Sequence, residues 1–301
     1  MFNKIKKGLG NPYLVLMHLG RHWPFRHLIS DKQFLSFFYR AYHHRRIDWN
    51  NPQTFNEKLQ WLKLYDRQEA YTRLTDKYLV RQYVKDKIGE QYLVPLLGVW
   101  NNPRDIDFSQ LPNQFVLKCN HDSGSVIICH DKNKLNKKQA IQKLSKAFYT
   151  QYFWKSREYN YKNIQRKVIA EKLLVNEEKS DLPDYKIFCF NGKPKFIQVD
   201  LNRFTKHVRK FYTTDWNPID VQDVHYNPAI SAQRPECLNE LLHLAHILSR
   251  DFIHVRVDFY LVGEQIYFGE LTFHHGGGAI PLFPFSYDKL WGSYMTLPLK
   301  K

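Results

Sequence analysis

The sequence predicts an α+β protein in which helices lead and antiparallel strands follow, and three observations predict it. Helix-initiation signals recur through residues 1–112, a strand, loop, strand, helix, strand pattern occupies 113–172, and two hairpin signals bracket an amphipathic helix in 173–301. At 301 residues and 43% hydrophobic, with aromatics at 16%, the chain can bury a full core. That composition excludes a disordered chain.

Residues 1–50 are basic and aromatic. Lys4, Lys6 and Lys7 precede an apolar run from Tyr13 to Leu19, and Arg21, Trp23, Arg26, Phe34, Phe37, Phe38, Tyr39 and His43 to Arg46 follow. A helix here would either lie on an anionic membrane with its cations at the headgroups, or pack its aromatics on the body; packing is the expectation. The run Tyr13–Leu19 is too short to cross a bilayer and no small-residue cleavage site follows, so neither a secreted nor a transmembrane protein is expected. Thr54 and Glu57 match the capping box, ahead of an apolar stripe of Phe55, Leu59 and Leu62. Thr75-Asp76-Lys77 is expected to open the next helix, with Val80, Val84 and Ile88 inward, Gly89 as its stop, and Lys77, Arg81 and Lys85 on a solvated face. Tyr92 to Val99 reads as a short strand or extended connector.

Phe115–Lys118 and Val126–Cys129 read as paired strands. Their connecting loop, Asn120-His121-Asp122-Ser123-Gly124-Ser125, is small and polar, and its N–H and hydroxyl groups suit either a plain turn or an anion, with Lys118 adding charge at its base. Ala140, Leu144 and Phe148 are spaced by four, so 135–148 is expected to be helical, and Lys167–Leu174 is another strand. Glu177–Asp181 reads as a surface loop. Asn191-Gly192 joins Asp184–Phe190 to Pro194–Asp200 as a hairpin in which Asp184, Lys186, Phe188 and Phe190 share a face. Residues 203–235 are expected to be loop-rich with a basic cluster of Arg203, Lys206, His207, Arg209 and Lys210, and Leu238 to Leu248 an amphipathic helix.

The stretch Val255 to Gly278 gathers the chemistry. Alternation puts Val255, Val257 and Phe259 on one face and Arg256, Asp258 and Tyr260 on the other; after the Gly263-Glu264 turn, it puts Tyr267, Gly269, Leu271 and Phe273 opposite Ile266, Phe268, Glu270 and Thr272. Asp258 and Glu270 are 12 residues apart, so hairpin pairing sets their carboxylates side by side near Arg256. Hard oxygen ligands beside a phosphate-binding cation suit a Mg²⁺-nucleotide site; a structural ion pair would use the same residues. The tail His274-His275-Gly276-Gly277-Gly278 is a poor continuation of a sheet and a good approach to an anion.

The formal charge of +16, from 45 basic and 29 acidic side chains, implies a polyanionic partner. Cys119, Cys129, Cys189 and Cys237 lack C-x-x-C spacing, so no metal ribbon or redox motif is indicated and a reducing cytoplasm is the simpler setting.

TDKYLVRQYV, FVLKCNHDSGS, DYKIFCFNGKPKFIQVD, and VRVDFY with FGELTF and GGG, in that order from about Thr54 to about Tyr287, closely resemble the TupA-like ATP-grasp family of bacterial cell-surface polymer synthesis. The resemblance implies an ATP-grasp fold, with a helical region over 1–112, a lid lobe over 113–172 and a larger mixed-sheet lobe over 173–301. It implies ATP and Mg²⁺ as cofactors. Lys118 becomes a phosphate-binding lysine, His121 to Ser125 (with Ser123 and Gly124) the flap, and Arg81 stands where many relatives carry a lysine. Glu171, Lys172 and Leu173 match the adenine hinge, and Asp184 is a ribose candidate. Arg256, Lys186 and Gly277 become catalytic, and Asp258 and Glu270 the Mg²⁺ ligands; Thr272 stands where the wider superfamily has Asn.

The implied activity is a carboxylate-amine ligase acting through an acyl phosphate. Its implied partners are an acidic acceptor, a uronic-acid glycan or a glutamate chain, and an amino acid or other amine. A glycosyltransferase or phosphotransferase of the same polysaccharide pathway is the alternative, and a basic module binding nucleic acid or membrane is a third reading, which leaves Asp258 and Glu270 without a role. No nucleic acid is expected. A cytoplasmic site at the inner face of the membrane, touched through residues 1–50, is compatible with the sequence.

Overall fold

Local capping sets the helical first third. The computed structural model describes residues 11–176, 182–201, 207–223, 226–227 and 231–299; Lys4, Lys6, Lys7, the 177–181 loop, Arg203 and Lys206 lie outside them. Asn11 caps α1 (Pro12–Leu19), its side chain accepting from the Tyr13 N–H at 3.2 Å. After α2 (Phe25–Leu28), a Ser30–Gln33 capping box starts α3 (Asp31–His43), which buries Phe34, Leu35 and Phe38 against Met17. Packing is therefore what α3 does with its aromatics. The Thr54–Glu57 capping box forms as expected and starts α4 (Phe55–Tyr65).

One helix boundary differs from expectation. Thr75 ends α5 (Glu69–Thr75), and Asp76 turns the chain, its Oδ1 accepting from the Tyr78 and Leu79 N–H groups at 2.8 and 3.2 Å. Helix α6 (Val80–Lys87) begins only after that turn. Lys77 is thus off the helix, and the expected basic face dissolves: Lys77 and Arg81 turn inward, while Lys85 stays at the surface paired with Glu90 at 2.6 Å.

Two antiparallel sheets follow. The smaller has the order β1-β4-β2-β3, from β1 (Leu96–Trp100), β2 (Phe115–Cys119), β3 (Ile127–Cys129) and β4 (Val168–Lys172). Its edge strand β1 comes from ahead of residue 113. Helix α7 (Lys137–Phe148) covers it with Leu144 and Phe148 over Phe115, Leu117 and Val168, and the short α8 (Phe153–Ser156) follows.

The larger sheet has the order β10-β9-β5-β6-β7-β8, built from β5 (Asp184–Phe190), β6 (Lys193–Leu201), β7 (Val208–Thr213), β8 (Pro218–Ile219), β9 (His254–Val262) and β10 (Gln265–Thr272). Strands β7 and β8 lie in the region expected to be loop-rich. The reason is that β7 is buried on both faces, Tyr212 in one core and Phe211 in the other, so no alternation marks it. One face of the sheet packs Tyr185, Ile187, Val199, Val257 and Phe259 under α9 (Leu238–Ser249). The opposite face is aromatic at one end, where Phe188, Phe190 and Phe196 meet Phe55 of α4 and Trp291 of α10 (Phe285–Ser293), and charged at the other.

The final hairpin pairs Glu270 with Asp258 in register. Its second strand departs from simple alternation, because a bulge at Gly269 shifts the pairing between Phe268 and Glu270. Ile266 and Phe268 therefore share the buried side with Leu271 and Phe273, and the expected grouping of Ile266 and Phe268 with Glu270 is corrected. All four cysteines are free thiols. Among the described residues no helix is long and apolar enough to cross a membrane.

Candidate active site

Strand register assembles the charged end of the large sheet. Glu270, Asp258, Lys186 and Gln198 form one row across β10, β9, β5 and β6, and Asp184, Asp200 and Arg209 form the next across β5, β6 and β7. Arg256 donates to both Asp258 oxygens, Nε to Oδ1 at 2.7 Å and Nη2 to Oδ2 at 2.6 Å. The same Nη2 reaches Glu270 Oε1 at 3.2 Å and Thr272 Oγ1 at 3.0 Å, and Nη1 donates to His275 Nδ1 at 2.7 Å. Lys186 Nζ lies 2.9, 3.4 and 3.5 Å from Asp184, Asp258 and Asp200.

Arg256, Asp258, Lys186, Asp184, Asp200, Gln198, Arg209 and His275 are buried, whereas Thr272 is half-buried and the Glu270 side chain is 39% exposed. Burying so many charges costs more desolvation than their pairing returns, so fold stability is a poor reason for the cluster and function a better one. Partial desolvation pushes the Glu270 carboxyl up, but Lys77, Arg256 and Lys186 outweigh it and hold it at about 2. Burial alone would also raise Asp200, but Arg209 and Lys186 keep it far below the carboxylate range. His275 is driven well below its ordinary value by burial and by Arg256, which fits an unprotonated Nδ1 accepting from the guanidinium.

The polar loop of the small sheet faces this cluster through Lys77. Its Nζ donates to the Asp122 carbonyl at 2.6 Å while its charge acts on Glu270. Ser125 Oγ donates to Asp122 Oδ1 at 2.6 Å and accepts from the Cys119 N–H at 2.9 Å, so it braces the loop; Ser123 and Gly124 form the exposed tip. His121 is buried beside Phe148. Lys118 and Arg81 converge on the Glu171 carboxylate at 2.6 and 3.6 Å. Lys172 and Leu173 instead line an open groove of about 470 Å³ with Leu97 and Pro112.

The glycine tail is a single turn in which Gly276, Gly277 and Gly278 all take φ between 55° and 67°. Only glycine adopts three such residues in a row without strain. Its carbonyls are held from below: Lys63 donates to Gly277 O, Gln60 to Gly278 O at 3.1 Å, and His43 Nε2 lies 2.9 Å from Gly278 O. The Gly277 N–H donates to His274 O at 2.8 Å.

A family model described as TupA-like ATPgrasp matches residues 57–296. The chain belongs to that family. No curated protein matches it. Among solved structures, this TupA-like ATP-grasp chain is similar to a D-alanine–D-alanine ligase from Bacillus anthracis complexed with ATP, at 15% identity and TM-score 0.40, over 66% of this chain and 53% of that one. The corresponding ligase from Helicobacter pylori gives 16% identity and TM-score 0.43 over 83% and 68% of the two chains. The D-cycloserine synthetase DcsG gives 12% and 0.41 over 87% and 76%. The chain thus spans about half the length of the first of these.

The donor set at Arg256 suits Mg²⁺: three hard oxygens, from Asp258, Glu270 and Thr272, gather within 3.2 Å of one cationic nitrogen. Among the described residues no group of three His, Cys, Asp or Glu forms a metal cage. Sequence reasoning left out Asp200 and Lys77 as site members and read His275 only as part of the anion-approaching tail. Asp200 was legible as the cross-strand partner of Asp184 in the Asn191-Gly192 hairpin; Lys77 was not, because helical phase pointed it to solvent.

Proposed function

We propose that this chain is an ATP-dependent carboxylate-amine ligase of bacterial surface-polymer synthesis, using Mg²⁺, with a uronic-acid glycan or a glutamate chain as acceptor and an amino acid or other amine as the incoming group. The observation that carries this reading is the gathering of the Asp258, Glu270 and Thr272 oxygens on Arg256, beside the Lys77-held loop. Family membership supports ATP as the substrate of the activating step. The net charge of +16 supports an acidic acceptor.

In this reading Asp258, Glu270 and Thr272 hold Mg²⁺, which when bound neutralises phosphate charge. Lys118 and Arg81 take phosphate oxygens from the lid side, and Glu171 keeps both cations placed until nucleotide arrives. Glu171 with Lys172 and Leu173 borders the adenine, and Asp184 the ribose. The acceptor carboxylate attacks the γ-phosphorus, the bond to the β-phosphate oxygen breaks, and ADP leaves with an acyl phosphate formed. The amine nitrogen then attacks the acyl carbon, expels phosphate and loses a proton to give the amide. Arg256 steadies the transferred phosphoryl group, Lys186 holds Asp184 and Asp258 in place, and the N–H groups around Gly277 face the acyl oxygen once the Gly277 bond to His274 opens. The flap from His121 to Ser125 excludes water that would hydrolyse the acyl phosphate. We assign 1–112 as a helical region, 113–172 as the lid with β1 added at its edge, and 173–301 as the catalytic lobe, and place the enzyme in the cytoplasm.

The test is ADP release from Mg²⁺-ATP with amino acids paired against uronic acids or glutamate oligomers. Release that needs both partners is expected, and it is lost in a folded Asp258→Asn variant. UDP release from a sugar nucleotide without ADP formation would overturn the ligase in favour of a transferase.

A further inference from the structure

The first helices carry an apolar surface that the catalytic site does not use. Val15, Leu19, Trp23, Phe25 and Leu28 are exposed within residues 15–28, Trp23 and Leu28 each to 74%. Val15 and Leu19 are four apart on α1, pointing away from the buried Met17 that meets Phe34. Burial in the protein therefore takes the aromatics of α3 and leaves those of 15–28 in water. Five exposed large apolar side chains within residues 15–28 are more than single scattered exposures and point to an interaction site.

Its surroundings select the partner. Residues 1–30 contain no Asp or Glu but hold Lys4, Lys6, Lys7, Arg21 and Arg26, with histidines at 18, 22 and 27. Arg21, His22, Arg26 and Arg166 line one open groove of about 570 Å³ together with Trp154. Two of these arginines are fixed in place: Arg26 lies 5.0 Å over the Trp154 ring, and Arg21 Nε donates to Lys155 O at 2.8 Å. Ordered cations bordering exposed Trp, Phe and Leu match the boundary of an anionic bilayer, where phosphates lie beside acyl chains. A nucleic acid would satisfy the arginines and leave Leu19 and Leu28 in water.

We propose that residues 15–28 dock this chain on an anionic lipid surface, with Arg21, Arg26 and Arg166 on headgroup phosphates and Trp23, Phe25 and Leu28 in the interface. The docking face is tied to the catalytic cluster: Arg157 donates to Gly20 O and Arg26 O at 3.1 and 2.8 Å, and the adjacent Glu158 lies 3.7 Å from His274. Nothing in the proposal depends on nucleotide chemistry, so it and the ligase reading stand or fall separately.

Flotation of the full chain with phosphatidylglycerol–phosphatidylcholine vesicles, against phosphatidylcholine alone, tests it. Binding is expected only to the anionic vesicles. Trp23→Ser with Leu28→Ser should weaken it about tenfold or more, since interfacial binding scales with the apolar area buried. Arg21→Gln with Arg26→Gln should weaken it about fivefold per arginine. These side chains are exposed or half-exposed, and unchanged thermal melting shows that both variants fold. Equal binding to neutral vesicles, or binding that the serine pair leaves intact, overturns the proposal. So does a dimer that the serine pair splits, which gives the patch to a second copy, or single-stranded DNA binding retained by the serine pair in place of lipid binding.

Discussion

Lys63 gives the sharpest quantitative expectation, because it is a lone ammonium under the glycine turn. It is 1% exposed, and its Nζ donates to Gly277 O at 2.5 Å, Gln60 Oε1 at 3.0 Å and Ser156 O at 3.1 Å. Burial pulls its pKa down from 10.5 to about 8, although Glu158 opposes the change. At about 1.4 kcal/mol per pH unit, that gap corresponds to roughly 3 kcal/mol. Below pH 8 the folded and unfolded chains are both protonated here, and the burial penalty is complete. Between 8 and 10.5 the unfolded chain holds a proton that the folded chain has released, so stability rises with pH.

Buried thiols such as Cys189 oppose this above their ordinary value of 9.0 and buried tyrosines such as Tyr39 and Tyr71 above 10.0, but both cancel in a wild-type-minus-variant difference, read over the window pH 8 to 10. Urea unfolding across that window should show the wild type gaining about 2 to 3 kcal/mol on Lys63→Met. The variant also leaves Gly277 O and Ser156 O without their shared donor, so turnover should fall more than nucleotide affinity. A wild-type-minus-variant difference that stays flat from pH 8 to 10 would refute the buried ammonium and its role under the turn.

Two further outcomes test the packing that supports the site. Asp288 accepts from the Asn56 N–H and side-chain amide, both at 3.0 Å, yet burial raises its carboxyl from 3.8 to about 6. Its folded pKa lies above the unfolded one, so stability is complete below pH 3.8 and falls by about 3 kcal/mol as pH rises through 6; Asp288→Asn should flatten that limb of the unfolding curve, and parallel curves would contradict the assignment. Gly292→Ala would set a Cβ 2.1 Å from Gln53 O and 2.8 Å from the Phe55 backbone N, forcing α10 off the start of α4 at a cost of about 3 kcal/mol. Unchanged thermal melting would show that these helices do not meet as described.

Much of this was legible in local patterns. The capping box at Thr54, the Asn191-Gly192 hairpin and the pairing of Asp258 with Glu270 all follow from short-range spacing, and each is present. The failures arise where something other than a simple period sets the local structure. The bulge at Gly269 admits a residue that alternation cannot count, β7 is buried on both faces, and the Asp76 turn removes Lys77 from the helix that would have sent it to solvent. A glycine inside a strand does hint at a bulge. Nothing local says that Asp200 and Arg209 will meet at 2.7 Å, since their pairing depends on β7 being a strand at all.

The central claim is that Asp258 and Glu270 together hold the divalent ion that carries the nucleotide. Calorimetric titration of ATP with and without Mg²⁺, into the wild type and Asp258→Asn, tests it most directly. Wild-type affinity should depend on Mg²⁺, and the variant should remain folded while losing that dependence. Affinity that ignores Mg²⁺, or that Asp258→Asn leaves unchanged, would contradict it.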